Sequence, residues 1–316
     1  MHQHKITVFL TAFLLVLAAL PAASFDCAPW VYSEENPAVA ELGAEAEDPF
    51  KRGLLWEVTS PGGLRSYLFG TIHLSDPRVL ATAKIAEEKI TETENFAMEV
   101  LITPQTANLS AARMFYADEV RLSEQLPAGL FDRATALLEK HGVAAHLADR
   151  LKPWAAYMTL AVPPADDGIP LDLYLLGIAK QNQNNLFGVE TIDEQLEIFE
   201  QLKLSAQVSL LAEAVCNYAE NQAQVESMVS LYGHQDLGGL VRMGERYQTP
   251  VNTELLERLL FERNGVMAER IKPWLQQGNF FVAVGALHLP GETGLLRTLA
   301  EQGFQLRPIQ AQQVAE

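Results

Sequence analysis

Cysteine is scarce in this 316-residue chain: only Cys27 and Cys216 occur, and neither lies in ligand spacing, which argues against a cysteine-based metal site. Basic residues are also few, with 23 Lys and Arg against 40 Asp and Glu and a net charge of −17. That balance excludes nucleic acid as a partner, because such binding depends on neutralising phosphates. After the first 25 residues no apolar run is long enough to span a bilayer. Several catalytic signatures are missing as well. The chain has no Gly-x-Ser-x-Gly elbow, no phosphate-binding Gly-Lys-Ser loop, no His-Glu-x-x-His helix and no dinucleotide glycine fingerprint. Their absence removes the commonest serine hydrolase, nucleotide-binding and zincin readings.

What is present begins with an export signal. Lys5 precedes an apolar stretch from Val8 to Leu20, and Pro21-Ala22-Ala23-Ser24 supplies small residues for cleavage after Ala23 or Ser24. Residues 1–24 therefore read as a signal peptide and place the mature protein in the periplasm or outside the cell. The alternative is an uncleaved membrane anchor. With the signal removed, no integral membrane domain is expected. An oxidising compartment makes a Cys27–Cys216 disulfide plausible, against the alternative of two buried thiols. Residues 25–50 are rich in Ala, Glu and Pro and read as an N-terminal arm, and a single folded body is expected over 51–316.

Within that body Leu54–Val58 and Ser66–Phe69 flank Pro61-Gly62-Gly63, the pattern of a β-hairpin. Ser75-Asp76-Pro77 starts a helix, and Phe96–Leu101 reads as a buried strand interrupted by Glu99. A large helical insertion is expected over about 110–276, with its clearest pieces at 130–140, 144–148 and 154–160. Inside this region Leu186–Val189 reads as a short strand, and Thr191-Ile192-Asp193-Glu194 has the form of a capping box. Further helix is expected from Ser205 to about Gln248 and from Thr253 to Gln276, with Asn252 or Thr253 as the cap. Phe280–Val284 is a continuous apolar strand, followed by a turn, a helix ending at Gly303 and a last strand over 304–309. Strand, helix and strand in that order argue for an α/β sheet.

Two segments share one pattern: Gly70-Thr71-Ile72-His73 and Gly285-Ala286-Leu287-His288. Each follows a predicted strand and precedes a predicted helix, the position where open α/β sheets build ligand sites. Glycine would let the chain turn sharply there, and a following helix N-terminus would disfavour imidazolium. Neutral imidazole is the form that binds metal. Against this stands the plain alternative of two capping or core histidines. His141, His146 and His234 lack this context and read as surface or helix-end residues.

The ordered set Leu55-Trp56-Glu57-Val58, Tyr67–Leu74, Phe187-Gly188-Val189-Glu190-Thr191 with Glu194-Gln195, and Val282–Gly291 resembles the TraB family, also called GumN or Tiki-like. The resemblance runs from about Lys51 to the C-terminal strand. It implies an α/β fold with a mixed central β-sheet flanked by helices, shared with the erythromycin esterase and ChaN-like superfamily. It also implies divalent-metal-dependent hydrolysis, with peptide cleavage attributed to the animal Tiki members. Carried over by position, His73, His288 and Glu99 match the family's histidines and acidic residue and become the expected metal ligands. Two imidazoles and a carboxylate would leave open positions on Zn²⁺, Mn²⁺ or Co²⁺, where water is acidified and a carbonyl polarised.

Three further residues join the candidate catalytic set. Glu190, at a strand end, is a general base or further ligand, or else a carboxylate interacting with the adjacent helix terminus. Arg263 and Asn264 match a late Arg-Asn segment of the family. A guanidinium there would neutralise an oxyanion or grip a substrate carboxylate, or else pair with a buried acid such as Glu190 or Glu99. Asp172 begins a helix, where capping is its expected job. The leading expectation is an exported metal-dependent hydrolase, a metallopeptidase acting on a peptide or small-molecule substrate. The competing one is a non-catalytic envelope protein that binds haem or a metal.

Overall fold

The computed structural model describes Phe25, Cys27 and residues 49–164, 167–245 and 249–309. The expected signal peptide and most of the N-terminal arm lie outside the described residues. The architecture is α/β. Six strands, β1 (Leu55–Thr59), β2 (Arg65–Thr71), β3 (Asn95–Val100), β4 (Asn185–Glu190), β5 (Phe280–Gly285) and β6 (Gln305–Ile309), form one mixed sheet in the order β4-β3-β5-β2-β1-β6. β1 is antiparallel to both β2 and β6. β2, β5, β3 and β4 run parallel to one another.

The hairpin turn closes at Gly63, whose φ of +81° suits a residue without a Cβ, and Gly63 N–H donates to the Ser60 carbonyl. Inside the sheet the strands are apolar on both faces, as parallel strands covered by helices must be. Phe281 of β5 stacks on Phe96 of β3 and packs against Phe69 of β2. The parallel register brings Thr71 opposite Gly285 and Val100 opposite Glu190. The C-terminal ends of four strands therefore meet along one edge, and every candidate ligand or acid sits at or just beyond such an end.

Helical segments start at Pro104 rather than 110, and β4 divides them. The helices are not only a cover for the sheet. Residues such as Leu130, Trp154, Leu160 and Leu211 form a second apolar cluster, with Trp154 stacked on Phe199. Phe25 packs against this cluster, and a disulfide joins Cys27 to Cys216 at the end of the Leu204–Cys216 helix. The segment expected as helix from Ser205 to Gln248 is three helices, Leu204–Cys216, Tyr218–Gly233 and Leu237–Glu245. The second break has a long-range cause: Gln235, at φ +56°, accepts Gly53 N–H at its carbonyl, and Arg52 bridges Asp236. Thr249, not Asn252 or Thr253, caps the Pro250–Leu256 helix. A π-helical turn, Glu257–Phe261, then leads into Glu262–Gln277. No helix among the described residues is long and apolar enough to cross a membrane.

Candidate metal-binding and catalytic site

The two Gly-x-x-His segments lie on adjacent parallel strands and pack directly on each other. A Cβ at Gly70 would meet Leu289 Cδ1 at 2.8 Å and Ala286 Cα at 3.0 Å, so the first motif's glycine makes room for the second motif's turn. A Cβ at Gly285 would stand 3.0 Å from Glu99 Oε1. Neither glycine has a positive φ; Gly285 sits at −54°. The expected sharp turn is therefore not what glycine supplies here. Close approach is.

His288 occupies a 3-10 turn, Ala286–His288, directly after β5 and is buried. Its Nδ1 lies 2.6 Å from Asn264 Oδ1. A carbonyl oxygen only accepts, so Nδ1 carries the proton and the Nε2 lone pair is left free. Burial pushes the His288 pKa down, against the pull of Glu99. Nε2 stands 3.6 Å from Glu99 Oε1. Asn264 thus acts by fixing a tautomer.

Glu99 projects from β3 into the same bay. Its Oε1 accepts from Gly285 N–H at 2.5 Å, and its Oε2 accepts from Arg263 Nη2 at 2.6 Å and Gln195 Nε2 at 3.0 Å. Burial alone would raise its pKa, but His288, Arg263 and the Gly285 N–H overcome that and hold the carboxyl at about 2. Arg263 also donates to both oxygens of Glu190, with Nη2 to Oε2 at 2.7 Å, and Nη1 donates to the Leu259 carbonyl at 2.8 Å. Burial lowers the Arg263 pKa, and Glu190 and Glu99 more than restore it. Of the roles open to Arg263, the ion pair with these two acids is the one the structure contains. Glu190, buried at the end of β4, is correspondingly clamped by Arg263 and Gln195 rather than packed on the following helix terminus. Thr191 caps that helix together with Glu194.

His73 differs from His288 in nearly every respect. Its side chain is 69% exposed, and its Nδ1 lies 2.7 Å from Asp172 Oδ2. The Asp172 carboxylate raises the His73 pKa to about 9. The expected neutral imidazole is thus corrected at this position, because a carboxylate in contact outweighs a helix N-terminus that begins at Pro77. Asp172 does not cap its helix either. Pro170 holds the N-cap position, and Asp172, one residue inside the helix, also accepts from Thr71 Oγ1 at 2.7 Å. Leu171 N–H donates to the Leu74 carbonyl and docks this helix on the His73 loop. The remaining histidines are local: His141 Nε2 meets the Tyr218 hydroxyl, and His234 Nδ1 meets the Ser230 carbonyl.

Two residues of this cluster carry roles the sequence did not assign. Gln195, five positions after Glu190, bridges Glu99 and Glu190. Asp172 orients His73. The signal for both was periodicity: each projects from the first turn of a helix that begins at the site edge.

The donor chemistry fits a divalent cation at one end and is looser at the other. Two ligands each about 2.1 Å from a tetrahedral ion lie roughly 3.4 Å apart, close to the His288–Glu99 separation. Both histidines have Nδ1 anchored by an acceptor, the outer-shell arrangement that orients Nε2 toward a metal. Two carboxylates face one guanidinium while His288 is neutral, so the inner cluster keeps a negative charge in a poorly solvated bay. However, no group of three or more His, Cys, Asp or Glu side chains among the described residues is already drawn together around an ion position.

The chain is 24% identical over 311 residues to "Metalloprotease TIKI2" of Danio rerio, with 80% of this chain and 60% of that protein covered. It is 23% identical to "Metalloprotease TIKI1" of Xenopus tropicalis, covering 95% and 68%. With "Uncharacterized protein YbaP" of Shigella flexneri it shares 26% identity, covering 77% and 90%. The chain thus spans about 60% of the fish metalloprotease it matches. No solved structure matches the chain. The model of the TraB/PrgY/gumN family matches residues 54–308, from the first strand to the last and across the whole histidine–carboxylate cluster, and the chain belongs to that family.

Proposed function

We propose that this chain is an exported, divalent-metal-dependent hydrolase that cleaves peptides, with Zn²⁺, Mn²⁺ or Co²⁺ held by His288, Glu99 and His73. The observation that carries the proposal is the His288–Glu99 pair. A neutral imidazole with its proton committed to Asn264 presents a free lone pair 3.6 Å from a carboxylate oxygen held ionised. The metalloprotease names of the relatives support hydrolysis of peptides as the reaction class. When bound, the ion would supply an acidified water and a polarised carbonyl.

The chain's own residues prepare the site. Asn264 and Asp172 hold the two imidazoles in one orientation each. Arg263 holds the Glu99 and Glu190 side chains next to one another, and its guanidinium is suited to stabilising an oxyanion once a substrate is bound. Glu190 positions Arg263 through both of its oxygens, which commits it less to proton transfer than a free carboxylate would be. His73 is the outer member. Exposed and paired with Asp172, it must give up a proton before Nε2 can bind an ion, so metal uptake is expected to release protons.

Cleavage of a fluorogenic peptide library by protein stripped with a chelator tests the proposal. Activity should be absent after stripping and return with Zn²⁺, Mn²⁺ or Co²⁺. Undiminished cleavage by rigorously stripped protein, or none with any of these ions, would overturn it.

A further inference from the structure

A groove of about 280 Å³ lies between the start of the Pro104–Met114 helix and one side of the Leu171–Gln181 helix. Ile102, Pro104 and Ala107 form one wall, and Leu173, Leu176 and Gly177 form the other. The two walls continue the two halves of the histidine site. Ile102 follows the end of β3, the strand that carries Glu99, and Leu173 directly follows Asp172, the partner of His73. The volume is just below the roughly 300–1,000 Å³ of sites that hold whole small molecules, which suits one side chain of a longer ligand.

Gly177 is the residue here that the fold does not require. It sits in the interior of its helix, where glycine is the poorest helix former apart from proline. Its φ is not positive, and beyond its chain neighbours and its own helix backbone a Cβ would meet nothing within 4 Å. Close packing explains Gly70 and Gly285, but it does not explain Gly177. What the missing side chain does is keep the groove open. The opposite wall is fixed in advance: Pro104 opens its helix, Thr103 and Thr106 cap each other, and Thr106 Oγ1 donates to the Leu101 carbonyl at 3.1 Å. Leu173, 41% exposed, offers apolar surface to an occupant. A rigid apolar slot of this kind spares a ligand the cost of ordering it.

We propose that this groove is a specificity subsite that receives one apolar side chain of the peptide substrate, of about the size of leucine, with Gly177 setting the room available. The proposal rests on the reading of the histidine site as a peptide hydrolase and adds which peptides it takes. The spacing suits a bound peptide. At about 1.5 Å rise per residue, Gly177 lies roughly 7.5 Å along the helix from Asp172. An extended peptide covers that length in about two residues at roughly 3.3 Å each. A side chain in the groove therefore belongs to a residue close to the bond presented at His73.

Methyl NMR on the whole protein, kept metal-free so that no cleavage intervenes, tests the proposal with the blocked pentapeptides Ac-AALAA-NH2 and Ac-AAAAA-NH2. The leucine peptide should shift the Leu173 and Leu176 methyl signals saturably and bind at least about tenfold more tightly than the alanine peptide. Gly177→Leu should erase that preference. Gly177→Ala should unfold at a higher temperature than the wild type, because the fold gains a helix former and loses no contact. Saturable binding with no cleavage once Zn²⁺ is added would remove the hydrolase reading and leave the subsite standing. Equal binding of the two peptides, binding of neither, a preference unchanged in Gly177→Leu or a lower unfolding temperature in Gly177→Ala would overturn the proposal. So would concentration-dependent shifts of the same methyls without peptide, which would make a second copy the occupant. The wild-type comparison and Gly177→Ala decide the matter even if Gly177→Leu fails to fold.

Discussion

His73 and His288 end the same four-residue pattern on neighbouring parallel strands, yet they meet opposite surroundings. His288 is buried, neutral and oriented by an uncharged amide oxygen. His73 is largely exposed, favours imidazolium and is oriented by a carboxylate. The acceptor explains the contrast: burial disfavours imidazolium at both rings, but the Asp172 carboxylate more than offsets it at His73, whereas Asn264 offers His288 only a neutral amide oxygen. The lesson is that one motif can build a preformed half and an adjustable half of the same site.

The largest effect should come from the centre of the buried half. Arg263→Ala leaves Glu99 and Glu190 without their shared cation, and loss of one partner from a buried ion pair costs about 3–5 kcal/mol. Chemical denaturation should register that loss, whereas Asp172→Asn, which keeps an oxygen for Thr71 and removes only the charge beside an exposed partner, should cost no more than about 1 kcal/mol. Equal losses would erase the distinction between the halves.

Removing the outer partner of His288 comes next. Asn264→Ala should weaken metal binding about 10–100-fold, the usual cost of an outer-shell deletion, as read by competition with a chromogenic chelator. An unaltered affinity would mean that the Asn264 bond does not orient Nε2.

Gly70→Ala probes how the motifs pack together. Its methyl would collide with Leu289 and Ala286, and overpacking of this kind costs about 1–3 kcal/mol. The unfolding temperature should fall accordingly; a neutral result would show that the 286–289 turn moves freely.

The smallest effect concerns protons. In metal-free protein the His73 ring should titrate at about 9, and Asp172→Asn should return it toward the ordinary 6.5, as followed by imidazole NMR. Because the folded value is raised, the His73–Asp172 contribution to stability is complete below 6.5 and fades as pH rises through 9. Glu99 has the opposite sign: held at about 2 against an ordinary 4.5, its contribution is complete above 4.5 and fades as pH falls toward 2. A His73 titration near 6.5 in the wild type would remove the asymmetry.

Local chemistry made much of this legible in advance. Pro61-Gly62-Gly63 between alternating apolar residues marked the hairpin, Thr191 and Glu194 marked a capping box, and the apolar run from Phe280 marked a central strand. The residues of the bay were legible in part: His73, His288 and Glu190 fall at predicted strand ends, whereas Arg263 and Asn264 lie inside a predicted helix and stood out only through the family resemblance. Long-range geometry was not. Nothing near Gln235 announces a helix break that depends on Arg52 and Gly53, and Asp172 looks like a cap until Pro170 is seen to occupy that position. The glycines illustrate the same limit, since their need for space comes from a turn more than 200 residues away in the case of Gly70 and from Glu99 in the case of Gly285.

Zinc titration of metal-free protein at pH 7.5, comparing wild type with His288→Ala and His73→Ala, tests the shared site most directly. One ion per wild-type chain, none in His288→Ala and a weakened but measurable site in His73→Ala is the predicted result. Wild-type stoichiometry and affinity in His288→Ala would contradict it.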